Sequence, residues 1–471
     1  MRILRGWPAR RQHRWLPEEG DAALYAASAL FAGLTAQFSG IALYAQWGKL
    51  AVGPYLAAAV VSALVARHRR HAAPVPVAAL VDEGPGDAGR PGRPALHWSR
   101  LRIFMFLVVL VGATLVPLGL EVVWASEGNA SLHVQPEVSV VQQAAQQLTH
   151  GRNPYYLPTR QGHVLPKEPN EPVYESFFPY LPFMTIFGLP SSTKVPVRLG
   201  DARIYFTIAT LLVTAGALAL CRAPSERKIR TLMVLTVLPT AALPLATGGD
   251  DMPVVALLLM AMVLAQRRRP GLAGVVLGVV SAMKFTAWPL AALALFAARD
   301  RQGRRTPGRM LLGMVVVAGP AVAPFVWRNP HDFVQNVIMF PLGLANVPSP
   351  AASPLPGHLL VTAFPHLHRI LPVTLAVVGG LILARHLVRH PPSTTGQVCT
   401  LAGWIMTAAI LLAPATRIGY LLYPINFFVW GWLLGGADEM AELPPAEHDD
   451  RGDELSVGAG DAGAGAAGLT G

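Results

Sequence analysis

The feature that most limits what this chain can fold into is the recurrence of long apolar runs, at 21–47, 50–66, 101–124, 204–221, 231–247, 252–265, 309–327, 370–384, 398–414 and 418–435. About 20 apolar residues in a helix rising 1.5 Å each cross a hydrocarbon core of about 30 Å. Lipid offers no partner to a bare N–H or C=O, so each run must satisfy its own backbone, which a helix does. With 52% hydrophobic and 14% charged residues in 471, the chain is too apolar for two or three soluble domains. The stretch 271–298 differs, because Lys284 divides it into two arms of about 13 residues, each about 20 Å long as helix. It reads as a hairpin of two short helices. The expectation is an all-α polytopic membrane protein of about twelve transmembrane or re-entrant helices, with both termini on one side.

Cationic residues orient that arrangement. Arg2, Arg5, Arg10, Arg11 and Arg14, then Arg67, Arg69 and Arg70, then Arg222, Arg227, Lys228 and Arg230 fall on one side. Arg267 to Arg269, Arg299, Arg301, Arg304 and Arg305, and Arg385 and Arg389 join them there. Basic residues flanking apolar segments stay cytoplasmic, so both termini are expected inside and the residues from Ala125 to Arg203 outside, in a cell (plasma) membrane. The net charge of +11 is then a topology signal, and no nucleic-acid partner is implied. The N-terminal apolar run is long and lacks a small-residue cleavage site, so it reads as an uncleaved first helix. Cys221 and Cys399 both fall near cytoplasmic helix ends, which supports neither a disulfide framework nor a cysteine metal site.

Residues 1–435 are expected to form one membrane domain, carrying a flexible cytoplasmic loop at 71–97 and the large outer loop at 125–203. The tail 436–471 opens acidic and ends in Gly/Ala repeats that cannot bury a core, so it reads as disordered.

The candidate chemistry lies in the large loop and around two anomalies in the apolar runs. Glu127, Glu168, Glu171 and Asp332 read as solvated loop charges. Glu137 differs: in PEVSVVQQAAQQLTHG, Val138, Val141, Ala145 and Leu148 recur at helical spacing between Pro136 and Gly151. Glu137 therefore sits on the first turn of an amphipathic helix, where it either complements the helix dipole or acts as a general base. Asp250 and Asp251 follow two glycines at a tight turn between apolar runs. One acid can cap the next helix, whereas a second charge so close to hydrocarbon is costly unless it serves something. Lys284 is a lone cation between apolar arms, with Asp250, Asp251 or a lipid-borne phosphate as its expected partner. Arg417 opens the last apolar run, where snorkelling accounts for a cation. Tyr155, Tyr156 and Tyr180 fit an interfacial aromatic belt. His358, His366 and His368 lack nearby acids, so no metal and no cofactor is expected.

These residues carry a resemblance. Val138, Ala144, Ala145, Leu148 and Gly151, the run Asn153-Pro154-Tyr155, and Phe178-Pro179-Tyr180-Leu181-Pro182 resemble the first outer loop of glycosyltransferase family 87. The run from Gly248 through Lys284 to Leu290 is similar to that family's central helices. The departures are Glu137, where the family usually has Asp, and Gly249-Asp250-Asp251, where Gly-Gln and a nearby Asn are common. The resemblance implies a GT-C membrane enzyme that takes mannose from a polyprenyl-phosphate-sugar donor and gives it, with inversion and without a metal, to a lipid or glycan acceptor. Glu137, Asp250 or Asp251 would serve as base, Lys284 or Arg417 would hold the donor phosphate, and Tyr155, Tyr156 and Tyr180 would stack on the sugar ring. The rival readings are a polytopic transporter or lipid flippase, which shares broken helices and intramembrane charges, and a non-catalytic relative. No repeat relates the two halves and one outer loop dominates, which favours the enzyme.

Overall fold

A computed structural model describes residues 16–71, 94–167, 171–301 and 305–442. The N-terminal arginines, Glu168, most of the expected 71–97 loop and the tail beyond 442 lie outside the described residues.

Among the described residues, eight helical segments are long and apolar enough to cross a membrane: Ala42–His71, Arg100–Gly128, Ala202–Leu220, Ser225–Thr247, Thr306–Arg328, Leu367–Arg389, Thr395–Leu412 and Ile418–Gly435. Length and composition thus carry eight crossings. The other four segments of the expected twelve correspond to the helix Pro17–Phe38 and the shorter apolar helices Asp251–Gln266, Pro270–Ser281 and Phe285–Ala298. The last helix continues to Glu442, past the boundary expected at 435.

The run 21–47 is not one pass, because the chain breaks at Ser39, whose extended φ/ψ of −70°/124° ends the first helix. Residues 42–47 belong to the next helix, Ala42–His71. The two helices then pack closely, since a Cβ on Gly48 would lie 2.5 Å from the Ala32 carbonyl oxygen. Ser225–Thr247 is also broken: Leu238 is extended, and Pro239 starts a second helix at its first position, where a missing N–H costs nothing.

Two apolar cores result. The smaller joins Tyr25, Trp47, Tyr55, Val109 and Ala113 of the first three long helices to Val237, Ala242 and Ala246. The larger joins the outer-loop residues Val138, Val141, Phe178 and Met184 to the helices from Ala202 onward, including Leu259, Leu277, Leu290 and Phe427. Ser225–Thr247 contributes residues to both. Strand structure among the described residues is confined to the two-residue hairpin of Thr159–Arg160 and His163–Val164 and a parallel bridge between Ala352 and Thr416.

The large loop is mostly folded. The expected amphipathic helix runs Pro136–Thr149 and buries Val138, Val141, Ala144 and Ala145. A run of 3-10 turns, Pro182–Ser192, packs against it at Gly188, where a Cβ would meet the Val141 carbonyl oxygen at 2.5 Å. Asp332 and Glu171 are not simply solvated: Asp332 accepts from Asn329 at 2.7 Å, and Glu171 accepts from Gln143 at 2.7 Å.

Candidate active site

Four pieces of chain meet at one end of the helices. The first is the start of helix Pro136–Thr149. Gln135, extended ahead of it, donates its amide to Thr247 Oγ1 at 2.6 Å and to the Tyr44 hydroxyl at 3.1 Å. This fixes the Glu137 turn against the end of helix Pro239–Thr247.

The second piece is the turn Gly248–Asp250. Gly248 has φ +114°, a left-handed conformation that closes the helix, and a Cβ there would lie 2.3 Å from Val138 Cγ2. Glycine therefore lets the acidic turn touch the Glu137 helix. Asp250 precedes helix Asp251–Gln266 but makes no side-chain capping bond. Capping does not explain its carboxylate, which points instead at Lys284.

The third piece is the hairpin turn. Helix Pro270–Ser281 stops, Lys284 is extended, and helix Trp288–Arg301 follows a short 3-10 turn. The Lys284 ammonium lies 2.9 Å from Asp250 Oδ1, 2.5 Å from Asp251 Oδ1 and 5.2 Å from the centre of the Tyr180 ring. Backbone bonds hold the outer loop to this turn, Leu181 N–H to Met283 O at 2.9 Å and Phe183 N–H to Ala282 O at 2.8 Å.

The fourth piece is the extended segment at Arg417, whose guanidinium is ion-paired with Glu137. The Tyr423 hydroxyl donates to Asp251 Oδ1 at 2.5 Å and lies 2.6 Å from Thr286 Oγ1.

Three carboxyl groups therefore face two cations. Tyr180 senses most of them: burial first, then the carboxylates of Asp250 and Glu137, the Tyr420 phenol and the Asp251 carboxylate, hold its phenol well above the usual tyrosine range. Each of two carboxylates spends one oxygen on its cation, while Glu137 Oε2 and Asp250 Oδ2 are buried without a hydrogen-bond partner. Such oxygens are costly unless something else supplies the hydrogen. Lys284 has three N–H donors with two engaged on the aspartates, and the guanidinium of Arg417 has five. Cationic hydrogen-bonding capacity for an anion is present beside both carboxylates.

The expected residues thus fall into groups. Glu137, Asp250, Asp251, Lys284, Arg417 and Tyr180 come together. Tyr155 lies behind them, 0% exposed and packed on Phe178, Phe325 and Phe333, with its hydroxyl on the Tyr180 carbonyl at 2.9 Å. Tyr156 is 57% exposed.

Sequence reasoning missed Tyr423 and Arg203. Tyr423 could have been found as a tyrosine shortly after Arg417 on the same apolar run. Arg203 is fully buried, pairs with Asp201 at 2.7 Å and donates to the His133 carbonyl at 2.6 Å. Its side chain also lies against Gly248, 3.2 Å from where a Cβ would sit. It braces both the approach to Glu137 and the acidic turn. A lone arginine at the end of the polar loop was its only signal.

The helices and the charged cluster they enclose define an α-helical integral membrane protein. The model of glycosyltransferase family 87 matches residues 178–414, just over half of the chain, and the chain belongs to that family of membrane glycosyltransferases. The matched region holds Tyr180, Asp250, Asp251 and Lys284, while Glu137 and Arg417 flank it. A search of the curated proteins finds no match.

Proposed function

We propose that the chain moves a sugar, mannose by family likeness, from a polyprenyl-phosphate donor to a lipid or cell-envelope glycan acceptor. The reaction takes place outside the cytoplasm, in a twelve-helix GT-C arrangement of the plasma membrane with both termini cytoplasmic. One observation carries this reading: Glu137 holds one oxygen on Arg417 and keeps the other buried and unpartnered, in the same cluster as Lys284.

The acceptor hydroxyl loses its proton to Glu137 Oε2 as its oxygen attacks C1 of the sugar. The bond from C1 to the phosphate oxygen breaks, configuration inverts, and polyprenyl phosphate leaves with the bonding electrons. Lys284 and Arg417 receive the charge that develops on the phosphate, held in place beforehand by their carboxylate partners. Arg417 offers paired N–H donors suited to phosphate, and Lys284 a compact charge. Glu137 is the preferred base because its side chain is the less enclosed of the two, 15% exposed against 2% for Asp250, and its buried Oε2 has no partner that an incoming hydroxyl would have to displace. Asp250 and Asp251 then hold Lys284 in place. Tyr180 lies against the Lys284 ammonium, and Tyr155 anchors Tyr180 through its carbonyl. Tyr156 remains the aromatic face open to a sugar.

Purified protein is incubated with labelled polyprenyl-phosphate-mannose and a membrane lipid extract. Wild type should transfer label, and Glu137→Gln should lose about 10²–10⁴-fold in rate, the usual contribution of a general base. Asp250→Asn and Asp251→Asn should fall less. Unchanged transfer in Glu137→Gln removes the base assignment, and an inert wild type makes the chain a non-catalytic relative.

A further inference from the structure

Beside the charged cluster lies a cavity of about 440 Å³, within the range of small-molecule sites of about 300–1,000 Å³. Its walls come from the 343–351 segment, helix Pro356–Ala363, the start of helix Leu367–Arg389, and Pro414 and Ala415. We infer that this cavity binds a neutral carbohydrate unit of the acceptor; the inference rests on the glycosyl-transfer reading and assigns the acceptor's place in it.

The lining decides the class of ligand. Asn346, Ser349, Thr362, His358 and His368 supply hydrogen-bonding groups, interspersed with Val and Pro, and no Asp, Glu, Lys or Arg lines the cavity. An anion such as phosphate finds no lysine or arginine in this lining to pair with. A divalent cation needs several close ligands, and among the described residues no group of three or more His, Cys, Asp or Glu side chains is placed to hold one. A neutral polyol suits the set: hydroxyls for the amide, hydroxyl and imidazole groups, and C–H faces for the aliphatic walls. His358 pairs its Nδ1 with the Pro414 carbonyl at 2.9 Å, so in the neutral ring Nε2 is the remaining acceptor. His368 reaches Gly343, its Nε2 3.6 Å from where a Cβ would sit.

Position ties the cavity to the chemistry. Thr416 is bridged to Ala352, with Thr416 N–H on Ala351 O at 2.8 Å and Ser353 N–H on Thr416 O at 2.9 Å. Its side chain turns inward, 1% exposed, with its hydroxyl on Ile410 O. Ala415 and Arg417 flank Thr416 and are half-buried where Thr416 is buried. Ala415 lines the cavity and Arg417 holds Glu137. A sugar in the cavity therefore lies beside the segment that carries Arg417, the ion-pair partner of the proposed base. Ala345 and Val347, which also line the cavity, pack on the cluster that the outer-loop residues Leu157 and Phe177 form with Phe340.

The test is saturation-transfer NMR of methyl α-mannoside, with methyl α-glucuronide as its charged counterpart, on the full chain in detergent at pH 8. The mannoside should receive saturation and the glucuronide should not. Thr362→Trp, which fills the cavity, should abolish the mannoside signal. Asn346→Leu, at an exposed loop position, should reduce it about fivefold, as loss of one hydrogen bond does. A mannoside signal absent from wild type, equal to that of the glucuronide, or unchanged in both variants overturns the inference. Donor turnover by wild type is read separately: its failure removes the proposed enzyme, whereas turnover with sugar binding indifferent to the cavity removes only this assignment.

Discussion

Two clusters of buried charge stand at opposite ends of Ser225–Thr247, a broken helical segment of 23 residues that spans at most about 33 Å at 1.5 Å per residue. At one end Asp21 accepts from Arg102 and Arg230 with both oxygens, and Glu226 does the same. Every carboxylate oxygen of that pair has a partner. At the other end Asp250 and Glu137 each leave one buried oxygen bare. Both clusters bury ions at a desolvation cost, but the first is saturated and ties three helix starts together. The second keeps unspent hydrogen-bonding capacity on its carboxylates and its cations. The difference separates a staple from a site that awaits a proton donor and an anion.

Lys284→Met should give the largest change, because it leaves Asp250 and Asp251 buried without their cation. Breaking a buried pair by removing one partner costs about 3–5 kcal/mol. A detergent-phase unfolding curve should show that loss, and transfer should cease; wild-type stability would mean the ions are not paired as described. Asp21→Asn should cost about 2 kcal/mol, since hydrogen bonds to charged groups are lost, yet leave transfer per folded molecule unchanged. A fall in turnover without unfolding would erase the distinction between the two ends.

Much of the second cluster was legible. Pro136 and the spacing of Val138, Val141 and Ala145 gave the Glu137 helix, and Lys284 between two apolar arms gave the hairpin and its aspartate partners. Arg417 on Glu137 was not legible, because the two are 280 residues apart and no local pattern links them. Tyr155 read as a sugar-stacking or interfacial ring, but Phe325 and Phe333 arrive from a distant segment, and Asn336 donates to its carbonyl across 181 residues. The break at Ser39 was hidden for another reason: hydropathy continues through a turn in which one short polar residue, Ser39, bonds the backbone of Ile41 through its hydroxyl.

Smaller effects sharpen the same contrast. Gly248→Ala forces a side chain into left-handed backbone and against Val138, costing about 1 kcal/mol or more. It should also lower transfer, because it pushes the acidic turn from the Glu137 helix; unaltered turnover would mean that their spacing does not matter. The smallest effect is in alkali. Burial holds the phenols of Tyr155 and Tyr180 above the usual range, so the folded chain keeps protons that the unfolded chain releases above about pH 10. Stability should be indifferent to these groups below that pH and fall as pH rises through it, as unfolding curves from pH 8 to 11 would show. A rise in stability would contradict their burial.

The most direct measurement is a double-mutant cycle on transfer rate with Glu137→Gln and Asp250→Asn, using labelled polyprenyl-phosphate-mannose. Groups that act as a unit are strongly non-additive, so the double variant should be about as slow as the slower single one. Losses that simply multiply would mean that Glu137 and Asp250 act independently, and the single shared site would be wrong.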